Sequence, residues 1–315
     1  MNIFWEGAHL VRKYRRIAAL RDDLRFSREL RDVAEYEETF RHYTGRSIRG
    51  ARILDLGCGN RPIRLLMMQA MGWDVVGLDV QVPLLSLSAL PEVVRRNGPL
   101  RAFKSLARYF LSARRELAAL RARHPWSAVP LVTADIADPL SWDAVGSIDL
   151  VVSEDVFEHL SDVETAVEMM ASALSVTGLA LIRPNIFTGI TGGHVLEWDY
   201  PLDRTGSLEP WDHLRRGRGR PNTYLNRLSR ADFRAAFARW FDIVEERVLF
   251  PELGREYMTP ELREEVSHWS DEELFSNRVL FVLRRKTATT SPDGSASGGE
   301  PAVPARRSPT DCVPG

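Results

Sequence analysis

From Ala51 onward, short apolar runs alternate with stretches of helical periodicity. Arg52 to Leu56, Asp74 to Asp79, Pro130 to Asp135, Ser147 to Ser153 and Leu179 to Arg183 read as strands. Arg61 to Met71 and Asp162 to Leu174 read as helices between them. Strands alternating with helices imply a mostly parallel, doubly wound α/β sheet covered on both faces. Ala231 to Arg239 predicts one more helix, and Phe241 to Leu249 and Arg278 to Arg284 predict late strands. Upstream, Leu10, Tyr14, Ile17, Leu20 and Leu24 fall at helical spacing, continued by Leu30, Val33, Tyr36 and Phe40. The expected division is an N-terminal helical cap over 1–50, an α/β domain over 51–286 and a tail over 287–315. The tail is rich in Ser, Gly, Pro and Ala and reads as disordered.

Two insertions exceed a minimal α/β unit. Residues 83–127 include a basic helix read over Leu100 to Arg123. Residues 185–223 follow the fifth strand and are crowded with Gly, Trp, His and Asp. Ligands of such sheets bind at the carboxyl ends of the strands, so the second insertion is the natural wall of a substrate pocket.

Composition narrows the classes. The 315 residues are 44% hydrophobic and 27% charged, as in a soluble globular protein. A net charge of −1 gives no global pull toward nucleic acid or anionic membrane, and nucleic acid is not an expected partner. Lysine occurs only at Lys13, Lys104 and Lys286, a bias that a GC-rich genome explains. Cys58 and Cys312 lie in unrelated contexts, which argues against a disulfide framework. Neither an apolar signal core within Met1 to Leu20 nor a run long enough to span a bilayer is present, so a cytoplasmic location is expected. The oligomeric state is not legible.

The loop "ILDLGCGNRP" at residues 53–62 resembles a nucleotide cradle. A dinucleotide fingerprint would put a third glycine at Pro62, and a triphosphate loop would need Gly-Lys-Ser/Thr; neither is there. Asp55 would repel a phosphate. It suits a ligand with positive charge there, such as S-adenosylmethionine, which carries an ammonium and a sulfonium and no phosphate. Asp79 ends the second strand, where an acid can accept from ribose hydroxyls. Asp135 ends the third, where it can take adenine amino hydrogens while Ile136 covers the ring. Each acid also has a plainer role open to it. Asp55 can bond the turn, Asp79 can cap a helix, and Asp135 or Asp138 can cap the helix opening at Pro139.

The segments "ILDLGCGN", "VVGLDV", "VTADIADPL" and "IDLVVSEDVFEHL", in that order between Ala51 and Arg183, resemble the sequential motifs of class I S-adenosylmethionine-dependent methyltransferases. The likeness is to methyltransferases of type 11 or 23, related to the ubiquinone-pathway O-methyltransferases. It implies a Rossmann-like seven-stranded sheet with a reversed last hairpin. It implies Asp55, Gly57 and Gly59 at the methionine end of S-adenosylmethionine, Asp79 on the ribose, and Asp135 and Ile136 at the adenine. Ser153 closes the fourth strand beside the same crevice.

Methyl transfer to a hydroxyl needs alignment and a base. Candidates after the fourth strand are Ser153, Glu154, Asp155, Glu158 and His159. In some relatives an acid three residues before a Glu-His pair helps bind a divalent metal. That set maps to Asp155, Glu158 and His159, but no metal is expected here. His194, Glu197, Asp199, Asp212 and His213, interleaved with Trp198, Tyr200 and Trp211, suit a polyhydroxylated ring. His194 is the preferred base, with Glu158 and His159 beside it, because it follows the flexible Gly192-Gly193 and titrates near neutrality. A purely structural role for these residues stays open. The run Arg215 to Arg220 reads as a solvated loop or a phosphate contact. The expected activity is O-methylation of a small-molecule, glycan or natural-product intermediate. The alternatives are an RNA methyltransferase and a non-catalytic S-adenosylmethionine-binding protein.

Overall fold

The computed structural model describes residues 26–123, 129–194, 209–216 and 223–286. Its centre is a seven-stranded sheet: β1 (Arg52–Leu56), β2 (Asp74–Asp79), β3 (Leu131–Thr133), β4 (Ile148–Glu154), β5 (Leu174–Arg183), β6 (Phe241–Val248) and β7 (Val279–Arg285). The spatial order is β3-β2-β1-β4-β5-β7-β6. Strands β1 to β5 are parallel, and β7 runs antiparallel between β5 and β6. The chain reverses its winding between β1 and β4, and that switch opens a crevice at the carboxyl ends of the strands.

Both faces of the sheet are covered, so the central strands are apolar at successive positions instead of alternating. Leu54, Leu56, Val151, Ala180 and Ile182 point to one core, with α7 (Val163–Ala173) and α9 (Arg230–Ala238) over it. Ile53, Leu150, Val152, Leu179 and Leu181 point to the other, under α1 (Ser27–Thr44) and α2 (Ile63–Ala70). Helix α1 buries Val33, Tyr36 and Phe40 at helical spacing. It stops at Gly45, whose left-handed φ of 68° lets its N–H reach the Arg41 carbonyl. Asp162 caps α7, and Ser229 with Asp232 forms a capping box on α9.

Sequence patterning and structure differ in three places. One is β3, which stops at Thr133, so Asp135 lies two residues past the strand and does not end it. The basic helix of the first insertion is interrupted. Preceded by a separate α3 (Leu90–Asn97), it comprises α4 (Pro99–Arg108), a π turn (Tyr109–Ala113) and α5 (Arg114–Arg123). Gly98, at φ 80°, ends α3, and Pro99 opens α4. Strand β5 begins at Leu174, five residues before its apolar run, and pairs with β4 through a register shift between Ile148 and Leu150. The remaining helices are α6 (Pro139–Val145), α8 (Asp212–Arg215), α10 (Pro260–Glu265) and α11 (Asp271–Leu274). The tail over 287–315 and the helical pattern from Leu10 to Leu24 lie outside the described residues. Among the described residues, no helix is long and apolar enough to cross a membrane.

Candidate active site

The loop after β1 is shaped by its glycines. Gly57 and Gly59 both hold φ at 73°. A Cβ on Gly57 would lie 2.2 Å from Val156 Cγ2, so the chain after β4 leaves no room for a side chain there. Gly57 N–H donates to the Leu78 carbonyl (2.8 Å), and Gly59 N–H donates to Asp79 Oδ2 (2.7 Å). Gln81 N–H takes the other Asp79 oxygen at 2.7 Å. Asp79 therefore ties the glycine loop to the end of β2. Burial raises its pKa against the pull of those two N–H groups.

On β3's side, Asp135 is exposed and accepts from Ala137 N–H at 2.9 Å. Asp138, not Asp135, caps α6, accepting from Leu140 N–H. Ile136 is buried, and its carbonyl receives the Trp142 indole N–H at 2.9 Å.

Asp55 is fully buried and ion-paired to Arg64 on the first turn of α2. Burial raises the Asp55 pKa while Arg64 opposes the rise. On the neighbouring strand, Glu154 at the end of β4 accepts from the Tyr36 hydroxyl and from Arg183 (2.8 Å), and lies 3.5 Å from Arg64. Arg183 also bonds Asp32 of α1 at 3.2 Å. Burial alone would raise Glu154. The guanidinium groups of Arg64 and Arg183 and the Tyr36 hydroxyl overcome it and hold the carboxyl well below its ordinary range. Sequence reading missed Arg64, Arg183 and Tyr36. The signal was an arginine ending an apolar strand, because a buried cation requires a partner carboxylate.

Three buried polar atoms at this end of the crevice lack hydrogen-bond partners: Asp55 Oδ2, Arg64 Nε and Ser153 Oγ. Ser153 pairs with Leu56 across β1 and β4. A carboxylate oxygen, a guanidinium N–H and a hydroxyl with unmet bonds match an α-amino-acid group, whose ammonium and carboxylate can satisfy them.

A second cluster lies just beyond β4 and β5. Glu158 is 3% exposed, and neither of its carboxylate oxygens has a hydrogen-bond partner. Burial pushes its pKa up to about 8; the N–H groups of Glu158 and Asn185 oppose the shift without completing a bond. His194 Nε2, also unpartnered, is 3.8 Å from Glu158 Oε1. The rings of His159 and His194 meet edge to face at 4.9 Å. His159 Nδ1 donates to the Tyr224 carbonyl at 2.8 Å, leaving Nε2 as the acceptor. Burial, reinforced by His159 and His213, lowers His194 to about 4. His213 is likewise lowered to about 4 by burial, and its Nε2 faces the Phe187 carbonyl at 2.9 Å.

Glycine serves packing here more than flexibility. A Cβ on Gly192 would lie 2.1 Å from the Phe187 carbonyl, and one on Gly193 would lie 2.8 Å from His213 Cβ. These contacts fix His194 against Glu158. One ligand-capable atom each from Glu158, His159 and His194 lie within 4.8 Å of one another, a spacing that can hold a metal ion. Asp155 is not part of this group: at φ 55° it turns to Arg278, which bonds it at 2.9 Å.

The rest of the second insertion divides. Trp211 is fully buried, donates its indole N–H to the Thr188 carbonyl at 3.1 Å and packs on Phe275, so it belongs to the core and not to a ligand wall. Arg215 pairs with Glu265 (2.6 Å) and Glu209 (2.8 Å), and Arg216 pairs with Glu209 (3.0 Å). The first two arginines of the basic run are thus already matched by acids. Glu197, Trp198, Asp199, Tyr200, Arg218 and Arg220 lie outside the described residues.

The family model of the methyltransferase domain matches residues 23–239. The chain belongs to the methyltransferase family. It is an S-adenosylmethionine-dependent methyltransferase, and the acids and glycines at the ends of β1 and β2 lie within the matched span. No curated protein matches the sequence. Among solved structures, the methyltransferase is similar to an S-adenosylmethionine-dependent methyltransferase from Mesorhizobium loti. Identity is 21%, over 79% of this chain and 96% of that one, with a TM-score of 0.39. It is also similar to the N-methyltransferase NodS of Bradyrhizobium japonicum, determined with S-adenosyl-L-homocysteine (12%; 88% and 98%; 0.39). A third is the geranyl diphosphate C-methyltransferase of Streptomyces coelicolor (14%; 80% and 79%; 0.40).

Proposed function

We propose that this methyltransferase methylates a hydroxyl oxygen of a small-molecule, glycan or natural-product intermediate. The observation that carries the reading is the buried, unpartnered Glu158 carboxyl facing His194 Nε2 at the carboxyl end of the sheet. A neutral amine can attack a methyl donor with its own lone pair. A hydroxyl has to lose its proton, and that loss needs a nearby acceptor.

When bound, S-adenosylmethionine supplies a methyl group already activated by positive sulfur. On this reading Asp55, Arg64 and Ser153 satisfy its amino-acid end, and Gly57 and Gly59 let the backbone approach. Asp79 accepts from the ribose, and Asp135 with Ile136 takes the adenine. His194 is uncharged at neutral pH, so its Nε2 can take the hydroxyl proton. The Glu158 carboxyl, titrating near 8, stabilises the imidazolium so formed or receives the proton from it only in its ionised form. That form gains ground as pH rises toward 8, so methylation speeds up over that range. His159, fixed by the Tyr224 carbonyl, holds the His194 ring edge-on.

Calorimetric binding of S-adenosylmethionine to the wild type and to Asp79→Ala tests the cofactor half. Loss of most affinity is expected in the variant, and unchanged affinity removes Asp79 from the site. Single-turnover methylation of a panel of hydroxylated acceptors by His194→Ala and Glu158→Gln tests the other half. The expected result is loss of activity with cofactor affinity intact; full activity in both variants refutes the base assignment.

The same cluster favours a second reading, in which a divalent ion held by Glu158, His159 and His194 acidifies the acceptor hydroxyl. Dialysis against a chelator followed by readdition of metal separates the two. Activity that survives chelation excludes the metal, and activity restored only by metal replaces His194 as the base.

A further inference from the structure

We infer that the insertion between β2 and β3 is a docking surface for an anionic lipid bilayer. Helix α4 and the π turn after it bury Ala102 and Ser105 against the body. Their outward side is apolar: Leu100 is 70% exposed, Phe103 69% and Phe110 56%, and Ala107 between them is also exposed. Positions 100, 103, 107 and 110 recur at three- and four-residue spacing and form one stripe. Leu87 and Val94, in the preceding turns, are exposed as well. An outward helix face normally carries polar residues at these positions. Here the polar positions beside the stripe are Arg101, Lys104 and Arg108.

Charge identifies the occupant. Residues 83–123 hold nine arginines and lysines against two glutamates, in a chain whose net charge is −1. Both glutamates are already engaged, Glu92 by Arg95 and Arg96 and Glu116 by Arg61. An apolar stripe with Leu and Phe, bordered by Arg and Lys, suits the boundary between acyl chains and anionic headgroups. A nucleic-acid backbone would match the arginines but leave Leu100, Phe103 and Phe110 in water. The surface adjoins the crevice: Arg61, in the loop after β1, bonds Glu116 of α5 at 2.6 Å, and Arg108 donates to Asn60 of the same loop. A bilayer held there would sit beside the cofactor loop.

The test is sedimentation of the full chain with vesicles of phosphatidylcholine alone or mixed with phosphatidylglycerol, at low and high salt. Partitioning onto the anionic vesicles is expected to be at least about tenfold stronger, and to weaken as salt screens the headgroups. Arg101→Glu with Lys104→Glu should abolish that preference. Leu100→Ser with Phe103→Ser should reduce binding at every salt concentration. Neither pair should change the melting temperature, and the serine pair should leave S-adenosylmethionine affinity unchanged. Equal partitioning onto both vesicles, or none, overturns the inference. So does a serine pair that lowers the melting temperature, because the stripe would then be packed within the chain itself. Concentration-dependent self-association that the serine pair removes, without vesicle binding, assigns the face to a second copy and overturns it too.

Discussion

Glu158→Gln removes an acid that titrates near 8 in the folded chain, against 4.5 for an ordinary glutamate. Between those values the folded protein keeps a proton that the unfolded chain has released. The stability contributed is therefore full below 4.5 and is lost as pH rises through 8, at about 1.4 kcal/mol per pH unit. His194 and His213 act with the opposite sign. Both are lowered from 6.5 to about 4, so their contribution is present above 6.5 and lost as pH falls toward 4. From pH 6.5 to 8, Glu158 is the member of this cluster whose titration changes stability. Over that window the wild type should lose about 2 kcal/mol relative to Glu158→Gln. Urea unfolding of chelator-treated protein at half-unit steps across the window measures both curves. Parallel curves would refute the argument, because they would mean that the carboxyl has already ionised without cost at pH 6.5.

Gly57→Ala should weaken S-adenosylmethionine binding by about 2–5 kcal/mol, combining a left-handed backbone with the clash on Val156. Adding Val156→Ala should recover the steric part only, and calorimetry on the single and double variants checks the split. Glu154→Gln should destabilise the fold by about 3–5 kcal/mol, since it leaves Arg64 and Arg183 buried with less opposing charge; denaturant midpoints measure it. Asp138→Ala should cost about 1 kcal/mol as a lost helix cap and leave cofactor affinity unchanged. Asp135→Ala should do the reverse, so a thermal melt paired with a binding titration distinguishes the two acids.

Strand positions were readable because each central strand is covered on both faces and so appears as an uninterrupted apolar run. β1 and β2 begin and end where the pattern says. The start of β5 was not, because Ser175, Val176 and Thr177 lie before its apolar run and only pairing with neighbouring strands defines the element. The break at Gly98-Pro99 was visible in the residues themselves, whereas the π turn after Arg108 left no such mark. At the site, Asp55, Gly57 and Gly59 were legible as a local motif. The partners of Asp55 and Glu154 were not. Tyr36, Arg64 and Arg183 come from three separate elements and meet only in the fold. Helical spacing recorded Tyr36 merely as a core position, and its hydroxyl on Glu154 carries no sequence signal. Glu158 and His194 were both named as candidates, but their approach depends on Gly192 and Gly193 packing against Phe187 and His213.

Helix α1 precedes the first strand, yet Tyr36 and Asp32 share Glu154 and Arg183 with the ends of β4 and β5. The cap is therefore not a module that can be exchanged. A chimaera carrying the first helix of another family member would bring a foreign residue to the Tyr36 position and leave two strand-end charges in apolar surroundings. The segment before β1 has to travel with the sheet.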